Sequence, residues 1–341
     1  MNRRIMTLLA ALVPVLVLGV VGSAVTVPFV ALGPGPTFNT LGEVEGKQVV
    51  DVQGAPIDPT TGNLNMTTVS VRDGLNIFEA FGLWADGRYG LRPRAEVYPP
   101  GVPREQVDKS NQQDFKDSED NAELAALHYL KYPTTVKLRT VTPDGPAKDL
   151  LRVGDELVSV DGKPVTTSQN FISTVQGDKP DAVVSFVIRR DGAEQTVPVK
   201  LGARPEDSTK GYLGVSPEEV PQGPIKVTFN LADIGGPSAG LMFSLALIDK
   251  LSSGNLNGGK FIAGTGTIDP DGKVGPIGGI QYKMMAARDA GAETFLVPAD
   301  NCNEAKERTP SGLRLVRVDT LTSAVQSLEA ITSGKDTPTC G

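Results

Sequence analysis

The sequence predicts an α+β protein: an apolar N-terminal segment read as a transmembrane helix, a small β-rich module, a second β domain, and a C-terminal α/β domain. Three observations carry this reading. The 341 residues are enough for about two folded domains plus accessories, at roughly 100–200 residues each. Gly and Pro number 38 and 26, above the usual share, which marks a loop-rich globular chain of short elements. No charge occurs between Ile5 and Gly42, so the first stretch differs in kind from the rest.

Composition excludes several functions. Lys and Arg total 33 against 40 Asp and Glu, a net charge of −7, and such a surface repels nucleic acid. The single histidine, His128, and the two cysteines, Cys302 and Cys340, rule out a His-rich metal site, a four-cysteine zinc site and a multi-disulfide scaffold. No metal and no cofactor is therefore expected.

Residues 5–32 are dominated by Leu, Val and Ala and exceed the ~20 residues needed to span a bilayer core. Arg3 and Arg4 precede them and Glu43 is the first charge after Arg4, so the positive-inside rule leaves residues 1–4 cytoplasmic and sends the remainder across the membrane. A cleaved signal peptide ending near Gly22-Ser23-Ala24 is the competing reading. Both readings expect an extracytoplasmic location, where a disulfide persists. Cys302 and Cys340 then form one bridge or remain two thiols.

Residues 43–130 hold short β-type runs, such as Gln48–Val52 and Met66–Val71, with a short helix near Ile77–Trp84. A polar, mostly acidic stretch over Asp114–Asp120 leads into a helical run, Ala122–Leu130. His128 falls on that run with no chemical partner near it in sequence, which points to packing or exposure. Residues 131–202 are strands punctuated by Asp144-Gly145, Val153-Gly154-Asp155, Asp161-Gly162 and Asp191-Gly192, with one helix near Ser168–Val175. Gly-bearing turns at such spacing describe a small five- or six-stranded domain. Pro143–Ala147 followed by Leu151–Gly162 resembles the core of a PDZ domain of the kind found in bacterial proteases. The resemblance implies an extended peptide, often a chain end, added as a strand at a sheet edge.

The chemistry concentrates in residues 203–335, with 336–341 as a tail. Gly236-Pro237-Ser238-Ala239-Gly240 stands between the strand-like Ile225–Phe229 and the apolar helical run Leu241–Leu251. This is the G-x-S-x-G pattern that projects a serine at a strand-to-helix turn. The α/β-hydrolase triad fails on inventory, because no histidine follows Ser238. The plain alternative is a serine that caps the helix after Pro237. A serine hydroxyl needs a base, and without histidine the choices are a carboxylate or a desolvated lysine. If a helix starts after Gly279, then Ile280, Lys283, Met284 and Ala287 share one face. Burial would place the Lys283 amine on an apolar stripe and lower its pKa; the alternative is a lysine that snorkels to solvent.

Together these segments resemble the proteolytic domain of the Lon family, a Ser–Lys protease. The matching pieces are Gly236–Gly240, Thr265-Gly266, Gly272-Lys273-Val274, Pro276–Gly279, Lys283, Ala286-Ala287 and Ala290-Gly291. The resemblance spans roughly residues 205–335. It implies Ser238 as nucleophile, Lys283 as general base, Thr265 orienting the lysine, and an oxyanion site around Gly236, Pro237 and Ala239. Two departures stand out: Thr267 replaces the glutamate usual after Thr-Gly, and Gly235 precedes the motif, with Asp233 the nearest acid. Gly254–Lys260 matches most of a phosphate-binding loop, yet Phe261 stands where Ser or Thr should be, so it reads as a helix-to-strand turn and the protein as ATP-independent.

The whole resembles membrane-anchored bacterial proteins that join a PDZ domain to a Lon-like protease domain. That implies a serine endopeptidase acting on unfolded or flexible protein and peptide segments, without nucleic acid. Lon-type domains commonly assemble into rings, which leaves a homo-oligomer open. One rival is a PDZ scaffold whose protease domain is silent. Another is an esterase dependent on His128.

Overall fold

The computed structural model describes residues 3–231 and 234–341; the side chains of residues 3–5 and 7–9 are outside the description, as is Asp233. By internal contacts the chain forms two units. One comprises residues 1–52, 56–126 and 227–341, and the other residues 53–55 and 127–226.

The first part of unit one runs through helix α1 (Arg3–Ala24), strands β1 (Phe29–Asn39) and β2 (Asn63–Arg72), helix α2 (Ile77–Ala85), strand β3 (Gly90–Pro93) and helix α3 (Arg104–Tyr129). Helix α2 begins where the sequence places it because Asn76 and Glu79 form a reciprocal capping box. Helix α3 is far longer than the apolar run Ala122–Leu130 suggests. Its first half is polar and is stitched by the Lys109–Glu105 and Lys116–Asp120 pairs at i,i+4 spacing.

The second unit holds β4 (Thr134–Val141), β5 (Glu156–Val160), α4 (Ser168–Gly177), β6 (Val183–Arg190), β7 (Ala193–Lys200) and β8 (Val215–Pro221). These strands form one antiparallel sheet in the order β7–β6–β5–β4–β8. Alternate residues of β6, Val184, Phe186 and Ile188, are buried with Phe171 and Val175 of α4 and Leu138 of β4, the period-two pattern of a sheet with one covered face. Inside this unit, Arg190 holds the buried Asp155 carboxylate through two hydrogen bonds of 2.7 and 2.6 Å.

The chain then returns to unit one through α5 (Gly240–Leu251), β9 (Phe261–Gly264), α6 (Ile280–Asp289), β10 (Thr294–Pro298), α7 (Cys302–Glu307), β11 (Arg314–Val318) and α8 (Leu321–Thr332). The central sheet has the order β11–β10–β9–β2–β1–β3. Strands β2, β9, β10 and β11 are parallel neighbours, and β1 runs antiparallel between β2 and β3. Strand β10 is buried at all five positions and α5 at eleven of twelve, as expected for elements covered on every side. Strands from 29–72 thus share one sheet with strands from 261–318.

That sheet corrects the reading of the N-terminus. Among the described residues no helix is long and apolar enough to cross a membrane. The expected span of 5–32 is divided: α1 stops at Ala24 and contains Pro14, while Phe29–Leu32 are the start of β1, all four paired with β3 and Ala31 and Leu32 also with β2. Val30 and Ala31 are fully buried there. A strand and a helix of equal hydrophobicity look alike in such a run. The transmembrane anchor, and with it the single-pass location with a cytoplasmic N-terminus and extracytoplasmic domains, is accordingly not supported.

Cys302 and Cys340 are bonded, with an S–S distance of 2.05 Å, and close a loop with a sequence separation of 38. The tail is also held by Arg317 N–H donating to Pro338 O and Arg314 to Thr337 Oγ1. Constraining a loop of this size in the unfolded chain contributes about 4 kcal/mol in the entropic account. Urea unfolding of the Cys302→Ser, Cys340→Ser double variant is expected to show a loss of that order, and added reductant should weaken the parent while leaving the double variant unchanged.

Candidate active site

Ser238 lies in the loop that enters α5, and three features hold that loop. Gly236 adopts φ +88°, a conformation open to glycine, and its N–H donates to Asn111 O at 2.8 Å. Ser118 Oγ donates to Pro237 O at 3.0 Å. The Ser238 carbonyl accepts from Gly266 N–H and from Thr265 Oγ1, each at 3.1 Å. The left-handed Gly279, φ +71°, opens α6, so the helix starts where the sequence places it. Ile280, Met284 and Ala287 are fully buried on the face that carries Lys283, and α6 packs on β1 and β2.

Lys283 is only 3% exposed. Its Nζ lies 2.7 Å from Ser238 Oγ, 3.0 Å from Thr265 Oγ1 and 3.2 Å from Thr67 O. Burial alone pushes its pKa down to about 7. The structure therefore brings Ser238, Lys283 and Thr265 into one hydrogen-bonded group, and Lys283 does not snorkel to solvent.

Ser238 and Lys283 line a cleft of about 770 Å³. Its walls are Phe38 of β1, Met66 and Val69 of β2, Phe115 of α3, and Ile234 and Ile277. Gly236, Pro237 and Ala239 also line it, as does Thr267. Sequence reasoning missed Thr67, whose contribution is a backbone carbonyl with no residue-type signature. It also missed the part of α3 before Ala122, since Asn111, Phe115 and Ser118 reach the loop only through tertiary packing.

Other singled-out positions lie elsewhere. His128, at the end of α3, is hydrogen-bonded to Glu219 of β8, whose carboxylate also accepts from Thr134. Residues 254–260 form the turn between α5 and β9, and the Lys260 amine donates to Ile331 O. In unit two a groove of about 410 Å³ runs between Phe171, Ile172 and Val175 of α4 and residues 211–217 at the start of β8. Strand β8 is the edge of its sheet.

Comparison with known proteins matches two families. Residues 111–201 match a PDZ domain, and residues 224–330 match the Lon protease (S16) C-terminal proteolytic domain. A Lon protease of Koribacter versatilis is 31% identical over 196 residues, 57% of this chain and 21% of that protein. A probable periplasmic serine endoprotease, DegP-like, of Pseudomonas fulva is 37% identical over 88 residues, 26% of this chain and 18% of that protein. The chain thus spans about a fifth of the length of these curated relatives. The PDZ domain of an SdrC-like protein from Listeria monocytogenes is 26% identical, at a TM-score of 0.22, over 24% of this chain and 84% of that one. Ser238 and Lys283 lie within the second match, the cleft also draws on β1, β2 and α3, and the chain combines a PDZ domain with a Lon-type proteolytic domain of the serine peptidases.

Proposed function

We propose that this chain is an ATP-independent serine endopeptidase in which Ser238 is the nucleophile and Lys283 its general base. The observation that carries this reading is the 2.7 Å approach of a buried Lys283 amine to Ser238 Oγ. With a pKa of about 7, the amine is substantially neutral at physiological pH. It then donates its two hydrogens to Thr67 O and Thr265 Oγ1, and its lone pair is left to accept the Ser238 hydroxyl proton. Attack on a peptide carbonyl gives a tetrahedral intermediate, and the ammonium so formed returns the proton to the leaving amine. Water, deprotonated by the same amine, releases the acyl group. Thr265, tied to both Lys283 and the Ser238 carbonyl, fixes the distance between base and nucleophile.

The substrates under this reading are unfolded or flexible protein segments. The phosphate-loop-like stretch joins a helix to a strand rather than a strand to a helix, and its lysine is engaged by Ile331 O, which supports work without ATP. The groove beside β8 supports selection of a peptide by the PDZ domain, which would add as a strand at that edge.

The reading is tested with the full chain and a serine-directed fluorophosphonate probe. Labelling at Ser238 should rise about tenfold per pH unit below pH 7 and level off above it, because only the neutral amine accepts the proton. Labelling that climbs unchanged to pH 10 would remove Lys283 as the base.

A further inference from the structure

Helix α3 also touches the nucleophile loop, at the peptide group that carries the Ser238 N–H. A trans peptide is planar, so its C=O and N–H point in opposite directions. The Pro237 carbonyl accepts from Ser118 Oγ at 3.0 Å, which aims the Ser238 N–H away from Ser118. The next peptide is held in the same manner, with the Ser238 carbonyl tied to Gly266 N–H and Thr265 Oγ1. Gly236 cannot serve as an oxyanion donor, since its N–H is taken by Asn111 O. Among the described residues, the backbone donors left in this loop beside Ser238 Oγ are the N–H groups of Ser238 and Ala239.

The loop does not fix this orientation unaided. Gly235 and Gly236 precede Pro237, and glycine imposes little torsional preference. Pro237 has no N–H with which to anchor its own peptide. Ser118, in contrast, is 3% exposed on a helix that packs closely here. A Cβ at Gly240 would meet Ser118 Oγ at 3.0 Å, and one at Gly235 would meet Asn111 at 2.8 Å. The ring of Phe115, one turn before Ser118, packs edge-on against Phe243 of α5 at 5.8 Å, and Ser244 Oγ donates to Ala122 O. Helix α3 is thus fixed to α5 on both sides of Ser118.

We infer that Ser118 is a positioning residue: its hydroxyl locks the Pro237–Ser238 peptide so that the Ser238 N–H, together with that of Ala239, receives the charge that develops on the substrate carbonyl oxygen. This rests on the reading of Ser238 as nucleophile. Ser118 itself touches no substrate, and its contribution is made only in the transition state.

The test compares the full-length parent with Ser118→Ala, Ser118→Thr and Ser238→Ala, using a fluorogenic unfolded protein as substrate and a peptide aldehyde as an inhibitor that forms a tetrahedral adduct. Ser118→Ala is expected to lose kcat by about 10²–10³-fold, the usual effect of losing one oxyanion donor, with KM little changed and aldehyde affinity reduced in parallel with kcat. Ser118→Thr keeps the hydroxyl and should retain most of the parent rate. Equal losses in Ser118→Ala and Ser118→Thr would assign the effect to packing and overturn the inference. So would an unchanged kcat in Ser118→Ala while Ser238→Ala is dead. Hydrolysis that survives in Ser238→Ala instead overturns the nucleophile assignment beneath it.

Discussion

Replacing Ser238 with Ala, or Lys283 with Ala, should reduce hydrolysis of an unfolded protein to background, and the double replacement should be no slower than either single one. Nucleophile and base act as a unit, and removing one member of such a pair costs on the order of 10⁴–10⁶-fold in kcat. The geometry leaves little room for a substitute. Lys283 is the group bonded to Ser238 Oγ. Steady-state rates for the four proteins check the expectation. Additive losses, with the double variant far slower than both singles, would mean that serine and lysine act in separate steps. Full activity in Lys283→Ala would end the dyad reading.

The same lysine should make the fold weaker than it need be, so that Lys283→Met yields an inactive but more stable protein. Burial lowers the folded-state pKa from 10.5 to about 7, and every tenfold loss of proton affinity corresponds to about 1.4 kcal/mol. Below pH 7 the amine is charged in both folded and unfolded chains, and the fold carries the full burden of a buried ammonium, about 5 kcal/mol. Between pH 7 and 10.5 the folded amine is neutral while the unfolded one is still protonated, so the burden shrinks as pH rises and vanishes near 10.5. Methionine avoids it but forfeits the hydrogen bonds to Thr67 O and Thr265, each about 1 kcal/mol. Urea unfolding of parent and Lys283→Met is expected to differ by about 3 kcal/mol at pH 6 in favour of methionine, with the difference gone or reversed at pH 10. A gain that does not depend on pH would trace the effect to packing alone.

Much of the site could be read from the chain because its residues carry local signatures. The Gly-Pro-Ser-Ala-Gly run, the left-handed Gly279 and the spacing of Ile280, Lys283, Met284 and Ala287 are each a short-range pattern. The capping box at Asn76 and Glu79 marks α2 for the same reason. What escaped depends on contacts made across long stretches of chain. Phe29–Leu32 are apolar enough to extend a spanning segment, and only pairing with β2 and β3 makes them a strand. Residues 43–130 read as a module by their turns, yet β2 hydrogen-bonds to β9, nearly two hundred residues later. The polar part of α3 before Ala122 hides Ser118, because one serine among Lys, Asp and Glu has no mark of burial.

The pairing of β2 with β9 also sets a timetable for synthesis. Everything needed for the second unit's sheet lies between residues 134 and 221, so that unit can close while the chain is still growing. Strands β1 and β2 are made first but must wait, with one edge open, until Phe261–Gly264 emerge. At ~5–20 residues per second this wait is about 10–40 s, and an unpaired edge is the kind of surface on which nascent chains aggregate. Lys283 appears later still, and its Thr67 contact requires β2 already in place. A chain made only as far as residue 282 therefore holds Ser238 without the lysine proposed as its base, and under that reading the capacity to cut arises only once Lys283 and the residues after it have been released to fold.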